Sequence, residues 1–521
     1  MAQTDRNQPI DFVLQPIIIE SLIEELHILL PLVQYSLGDR SNNFTSLDPE
    51  LVTWDGPDDP AHPRNWSKQR KWRATIIVSS YTLVSPYSSS VISLGASYIA
   101  EEFHVLSGFV KALLVSIFVL AWAVGPLFLG PLSEMYGRKI LLNYSILVLL
   151  AFNFGCAFAQ NTTQMLVFRF LAGLGGSTPL CVGGGVLGDC FNDNERTPAM
   201  GLYSLGPTLG PSLAPIITGF IVQKLNWRWL FYVCCILNGV VAIVGFFLYE
   251  ETYPPTLLKR KAARLRKEHA NPNLKCIYEI ADGETVAGRF YVNFTRPVKL
   301  LLFHPMVFGL GLFMAFVYGF LYLMIVTIPT VWGEVYGFSK GISGLLYLPM
   351  TLGYFLGIIF WTWINDKTYK RLVAQNGGVA KPEFRLPMLV CAGVIIPVGL
   401  LWYGWSAEKH LHWIMPSIGL WIFAFGLIAV FQTIQSYMIH MNPLFAASSL
   451  SATSLFRSLF GFGFPLFANE MYTKLGYGRG NTMCAFLGLG LGIPFPIFVI
   501  KYGERLRFAC KPKTRKPLEL K

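Results

Sequence analysis

The sequence predicts an all-α membrane protein with twelve transmembrane helices arranged as two six-helix, pseudo-symmetric halves. Three observations lead there. The 521-residue chain is 53% hydrophobic and only 14% charged, with a mean hydropathy of +0.46, whereas soluble domains carry about 25% charge. Twelve runs approach the length of about 20 apolar residues that crosses a bilayer core. Lys and Arg are also partitioned, with 33 in loops on the side of the N-terminus and 7 in the opposite loops.

The runs lie near 74–97, 112–129, 140–159, 164–188, 199–221, 229–249, 305–329, 341–364, 386–404, 412–435, 448–470 and 481–500. Each reads as a helix, because a lipid-exposed strand cannot satisfy its own backbone groups and the runs exceed the length of barrel strands. The basic excess predicts cytoplasmic termini and a cytoplasmic 250–304 loop. The net charge of +12 is then an orientation signal, and no nucleic acid is needed to explain it. The predicted organisation is a cytoplasmic segment 1–73, a six-helix half 74–249, a linker 250–304, a second half 305–500 and a basic tail 501–521.

Before the first span, residues 12–33 form an apolar stretch broken by Pro16, Glu20, Glu24 and Glu25. It reads as an amphipathic helix on the membrane or under the bundle, and no signal peptide is expected. The linker stretch KRKAARLRK reads as a solvated helix held near anionic headgroups. Cys156, Cys181, Cys234, Cys235, Cys391 and Cys484 fall in spans without metal-like spacing and read as small packing residues.

Four stretches carry more than topology. "GPLSEMYGRK" (130–139) joins the second and third spans, and Gly130, Gly137, Arg138 and Lys139 supply the turn and the positive charge that a short loop needs. "WINDKTYKR" (363–371), after the eighth span, faintly repeats its carboxylate-then-bases order, with Asp366, Lys370 and Arg371 echoing Glu134, Arg138 and Lys139. The fifth span, "GLYSLGPTLGPSLAPIITGFI" (201–221), holds four glycines and three prolines. That composition ruins a soluble helix but permits close, kinked packing in a membrane bundle. Arg169 and Arg457 lie inside spans, where a cation must face protein or water.

These stretches resemble the major facilitator superfamily, in particular its twelve-span drug:proton antiporters of fungal type. Gly130, Leu132, Glu134, Gly137, Arg138 and Lys139 match the family's G-x-L-x-D-x-x-G-R-K, with glutamate in place of aspartate. Gly206, Pro207 and Gly210 fit the antiporter signature G-x-x-x-G-P-x-x-G-G, from which Leu202 and Pro211 depart. Arg169 with Gly173 is similar to the antiporters' fourth-helix motif, and the stretch around Arg457 is also similar to the fungal antiporters. Similar too are "DPAHPRNWSKQRKW" (59–72), "NWRWLFYV" (226–233) and "ETYPPTLL" (251–258).

The resemblance implies export of small, largely apolar or amphipathic compounds against protons, by alternating access and without ATP. It implies a latch in which Glu134 pairs with bases and helix ends across the two halves, and proton coupling through Arg169. Asp189, at the other end of the fourth span, caps the following loop, takes part in gating or, as an edge carboxylate, joins Arg169 as a candidate for proton coupling.

Aromatic residues including Tyr81, Trp122, Tyr318, Tyr322 and Trp361 are candidates to line a cavity, although most of the 76 aromatics must pack or face lipid. Glu470 reads as a plain i,i+4 partner of Lys474. The expected partners are a small-molecule substrate, protons and the lipid bilayer of the plasma membrane, with a monomer as the working unit and with no metal or cofactor. No P-loop is present, and the eight histidines give no metal spacing on one helix, which speaks against an ATP-driven pump and an embedded enzyme. An importer or uniporter of the same fold is the alternative reading.

Overall fold

The computed structural model describes residues 51–56, 58–192, 195–276, 278, 295, 298–441 and 446–509. The expected amphipathic segment 12–33, most of the later linker and the end of the tail lie outside the described residues.

The first half comprises α1 (Lys68–Ser90), a short α2 (Ala96–Glu102), α3 (Gly108–Tyr136), α4 (Arg138–Ala157), α5 (Thr162–Cys190), α6 (Arg196–Lys224) and α7 (Arg228–Leu248). After the linker helix α8 (Pro254–Glu268) come α9 (Pro305–Thr330), a short α10 (Lys340–Leu345), α11 (Leu348–Gln375), α12 (Pro387–Glu408), α13 (Ile414–Met441), α14 (Ala446–Gly492) and α15 (Pro494–Ala509). Ten helical stretches are long and apolar enough to cross a membrane. One of them, Ser449–Arg505, folds back at Gly476 and supplies the last two passes. The first pass is α1, whose KQRK start and many hydroxyls dilute its apolar character. The chain is thus a multi-pass, all-α membrane protein, with twelve passes among the described residues.

Several boundaries differ from the sequence reading, each for a local reason. The first helix stops at Ser90, short of residue 97, where Ser89 and Ser90 turn their hydroxyls back onto the Pro86 carbonyl and compete with the helical ladder. The expected loop between the last two spans shrinks to Gly476, at φ +77°. There a Cβ would sit 2.7 Å from the Glu408 carboxylate, which accepts from the Gly478 N–H at 3.2 Å. The faint repeat also diverges: at 137 the chain turns at a glycine with φ +95°, but at 369 a tyrosine lets α11 run on to Gln375. Asp366 there pairs with Lys370 at 2.9 Å along the same helix. Glu470 and Lys474 pair at 2.6 Å, as a plain i,i+4 contact.

Beneath the first half, the linker pairs with the segment preceding α1. Leu51–Val52 (β1) and Lys275–Cys276 (β2) form a two-stranded parallel sheet. It shares a small apolar core with Leu258 and Ala262 of α8. Lys261 fastens the helix to Asp55 at 2.6 Å and to the Thr53 carbonyl at 3.0 Å.

The side of the bundle carrying this sheet is the linker side. On the opposite, far side the halves meet closely through α3 against α14 and α6 against α10 and α11. Cβ atoms added at Gly108 and Gly219 would lie 2.9 Å from Asn469 and 2.7 Å from the Lys340 carbonyl. At Gly344 one would strike the Pro215 carbonyl. Toward the linker side, Gly184 of α5 and Gly201 of α6 face open space, and Glu134 is exposed. No ion pair among the described residues crosses between the halves.

Candidate functional site

Three clusters gather the charged residues that the sequence singles out. The first is at the linker-side turn between α3 and α4. Its centre is Glu251, 5% exposed, just after α7. One oxygen, Oε1, accepts from the backbone N–H groups of Arg138 at 2.9 Å, Thr252 at 3.0 Å and Tyr253 at 3.0 Å. The other, Oε2, accepts from Lys139 N–H at 3.2 Å. A carboxylate therefore caps the N-terminus of α4, where orphan N–H groups and the helix dipole both favour negative charge. Gly137 is needed twice over: its φ is positive, and a Cβ there would collide with the Glu251 carboxylate.

Arg138, buried, runs from that cap into the bundle. Its Nη1 donates to Ser133 Oγ at 2.6 Å, its Nε lies 3.4 Å from Asp189 Oδ2, and its guanidinium sits 4.5 Å from the centre of the Tyr253 ring. Ser133 Oγ in turn donates to the Gly130 carbonyl at 2.7 Å, and Gly185 leaves room for the arginine head, 3.0 Å from where its Cβ would stand. Glu250, next to the cap, pairs with both Arg70 and Arg73 of α1. All these partners belong to one half and its linker. The sequence placed Arg138 and Asp189 at this end but missed the Glu251 cap. The legible signal was a glutamate two residues ahead of Tyr253, the residue that precedes the Pro-Pro start of α8.

The second cluster surrounds Arg169, fully buried in α5. It donates to four carbonyls: Ser88 at 2.7 Å, Ser89 at 2.7 Å, Leu114 at 3.1 Å and Val115 at 3.3 Å. The Phe118 ring lies under its guanidinium at 4.9 Å. Ser88 and Ser89 belong to the last turn of α1, whose carbonyls lack intrahelical donors. The early stop of α1 and the buried arginine therefore explain each other: a helix C-terminus supplies the negative potential that no carboxylate supplies. Around the same turn, Ser88 Oγ gathers Cys234 at 3.0 Å and the side-chain amides of Asn153 and Asn238 at 3.4 Å.

The third cluster lies between the halves. A small cavity there, about 10 Å³ and so room for about one water in this conformation, is lined by Pro86, Trp122, Leu180, Pro207, Thr208, Tyr318, Leu321, Tyr354, Leu427, Phe431 and Arg457. Arg457, 9% exposed, stands 5.0 Å from the Tyr318 ring centre and 5.4 Å from that of Phe431, and donates to Ser454 Oγ at 3.2 Å.

Of the expected lining aromatics, Trp122 and Tyr318 are in place, and three are used elsewhere. The Tyr81 hydroxyl donates to Asn143 at 2.9 Å within the first half. Tyr322 OH and Ser89 Oγ lie 3.0 Å apart across the halves. Trp361 Nε1 donates to the Phe425 carbonyl at 2.8 Å within the second half. Tyr354, Thr208 and Phe431 were not legible, since nothing in the sequence of a membrane helix marks which of its side chains faces inward.

The kink residues explain how α6 reaches the cavity. It stays one continuous helix despite Pro207, Pro211 and Pro215. Cβ atoms at Gly206 and Gly210 would lie 2.9 Å from Leu83 N and 2.8 Å from Leu83 O, so these glycines let α6 lie against the α1 backbone. That contact presents Pro207 and Thr208 to the cavity.

The family model described as Major Facilitator Superfamily matches residues 78–468. The chain is 44% identical over 474 residues to the Penicillium aethiopicum protein named efflux pump vrtL, covering 91% of this chain and 93% of that one. It is 40% identical over 463 residues to efflux pump radE of Floropilus chiversii, covering 88% and 85%. Among solved structures it is similar to the xylose transporter XylE from E. coli in a partially occluded inward open conformation, at 14% identity and a TM-score of 0.62, over 84% of this chain and 98% of that one. It is also similar to a bacterial homologue of the lysosomal transporter Spinster, at 16% identity and a TM-score of 0.56, over 86% and 100%. Two six-helix halves around a shared cavity, a glycine-turned arginine at the second-to-third helix junction and these matches agree: the chain belongs to the major facilitator superfamily, a family of membrane transporters.

Proposed function

We propose that this protein exports small, largely apolar or amphipathic compounds by alternating access, in exchange for protons. The observation that carries the reading is the cavity between the halves, built from both of them and lined by aromatic and small residues around Arg457. Close packing on the far side and open space beside Gly184 and Gly201 fit a conformation that loads from the linker side. Relatives named efflux pumps, at 44% and 40% identity, support the direction.

In this reading the linker side is cytoplasmic, as the basic residues predict, and the protein works as a monomer in the plasma membrane. The motif residues Gly130, Leu132, Glu134, Gly137, Arg138 and Lys139 form the cytoplasmic gate, with exposed Glu134 meeting the second half when that side closes. Protons act at Asp189 and through Arg169. Protonating Asp189 weakens its hold on Arg138 across 3.4 Å, while Arg169 ties α1 to α3 and transmits the rearrangement through the carbonyls it holds.

The test is flux in proteoliposomes of defined orientation with an imposed proton gradient and a chemically diverse panel of compounds. Export that stops when a protonophore collapses the gradient supports antiport; export that continues unchanged excludes it.

A further inference from the structure

The two intramembrane arginines are held differently. Arg169 spends its donors on four backbone carbonyls. Arg457 is nine-tenths buried, yet among the described residues it has one hydrogen bond, to Ser454, no carboxylate within ion-pair distance, and an Nε–H with no acceptor. A buried guanidinium in that condition is costly unless something else supplies negative charge.

Two further polar groups line the same cavity without partners among the described residues: the Trp122 Nε1–H and the Tyr354 hydroxyl, on residues only 2% and 1% exposed. Arginine and tryptophan can only donate, and tyrosine can donate. Among the described residues no acidic side chain lines the cavity. The aromatic faces that could attract a cationic ligand, Tyr318 and Phe431, already carry the Arg457 charge. A second cation would be repelled by it in a low-dielectric site.

We infer that the cavity, which widens as the halves part to load it, selects amphipathic organic acids in their ionised form, holding a carboxylate, enolate or phenolate oxygen with Arg457, Trp122 and Tyr354 and the apolar body against Leu180, Leu321 and Leu427. This rests on the cavity being the transport site of the proposed exporter. It narrows a broad class of apolar compounds to those with one acidic oxygen, because a planar guanidinium beside neutral donors matches an oxyanion and leaves a neutral amide or an ammonium badly paired.

The test uses the full chain in lipid nanodiscs and three tritiated probes with one aromatic body: 1-naphthoate, 1-naphthamide and 1-naphthylmethylammonium. The naphthoate is expected to bind saturably and roughly tenfold or more tighter than the amide, with the ammonium weakest, as charge-assisted hydrogen bonding in a dry site requires. Arg457→Gln brings the naphthoate to the level of the amide, and Arg457→Lys retains part of the preference. Should Arg457→Gln fail to fold, Trp122→Phe combined with Tyr354→Phe is the second variant, expected to weaken naphthoate binding several-fold and spare the amide.

Equal binding of the three probes, absence of naphthoate binding, or a preference unchanged in a folded Arg457→Gln or in the double variant overturns the inference. Direction is read separately in proteoliposomes. An exporter indifferent to headgroup charge sinks this inference alone, and an anion-selective importer sinks the export reading alone.

Discussion

Replacing Glu251 tests whether the linker-side cluster is held by its carboxylate. Glu251→Ala strips the acceptor from four backbone N–H groups. Those of Thr252 and Tyr253 are local and can find water as the chain relaxes, but those of Arg138 and Lys139 open a buried helix start. Losing two such charge-assisted caps, at about 1–2 kcal/mol each, should favour opening of the α3–α4 turn by about 3 kcal/mol, roughly a hundredfold in population. Glu251→Gln separates the contributions. Its single carbonyl oxygen can keep the three bonds of Oε1 and loses the Lys139 bond of Oε2, so about 1 kcal/mol is expected. Hydrogen–deuterium exchange of peptides spanning 136–141, in detergent or nanodiscs, reads both. Protection should fall steeply in the alanine variant and several-fold in the glutamine variant. Exchange within twofold of wild type in Glu251→Ala would refute the cap, and equal loss in both variants would show that charge, not acceptor geometry, is what matters.

Other substitutions follow from the same geometry. Arg169→Ala leaves the last turn of α1 without its donors and should lower the thermal midpoint by several degrees and abolish flux, read by thermal-shift fluorescence beside a transport assay; normal flux in a folded Arg169→Ala would remove the residue from the mechanism. Gly206→Ala and Gly210→Ala each push a methyl into the α1 backbone and should cost about 1–3 kcal/mol, whereas Gly201→Ala, facing open space, should be silent in the same thermal measurement. On the far side Glu102 accepts from Arg228 at 2.7 Å and from the Trp227 indole at 2.6 Å. The Arg228 bond, with the indole bond beside it, holds the carboxylate below its ordinary value of 4.5. Its stabilising effect is therefore fully present above the ordinary value and disappears as pH falls through the lowered one. Trp227 fluorescence should report a far-side transition on acidification that Glu102→Gln lacks.

The fold was legible because hydrocarbon thickness leaves little choice: a run near 20 apolar residues has to be a crossing helix, and a strong basic bias has to pick a side. Where a boundary was misjudged, tertiary contacts override composition. Ser90 ends α1 because Arg169, 79 positions later in the sequence, takes the carbonyls of that turn. Arg138 was legible by spacing and Asp189 by its place at the linker side, but the burial of one against the other was not. Glu251 was not, since a single glutamate at a helix exit looks like any solvated end until the positive φ of Gly137 brings the α4 start onto it. The cavity was the least legible part. Trp122 and Tyr318 were among its candidates, but Tyr354 and Phe431 differ from lipid-facing aromatics only in which way one helix is turned, a property set by packing against several neighbours at once.

The distribution of polar contacts argues for how the halves move. Every ion pair among the described residues stays within one half or its linker, and the densest of them, Glu250 with Arg70 and Arg73 and Asp189 with Arg138, bind α1, α4, α5 and the chain after α7 into one body. Between the halves the far-side contact relies on glycines at 108, 219 and 344, whose missing side chains permit close approach without any charge to break. Separating such a surface exposes small, neutral groups to water or lipid and leaves no buried ion unpaired, so its cost is modest beside that of breaking a buried charge pair. Rigid halves with charged interiors and an uncharged seam are what rocking about a central site requires. Crowding the seam is then the direct perturbation. Gly219→Ala on α6 sets a Cβ 2.7 Å from the carbonyl of Lys340, the first residue of α10. If the far side must close and part during transport, a folded Gly219→Ala should disfavour the closed far side and turn over slowly, and full turnover in that variant would show that this close contact is not needed.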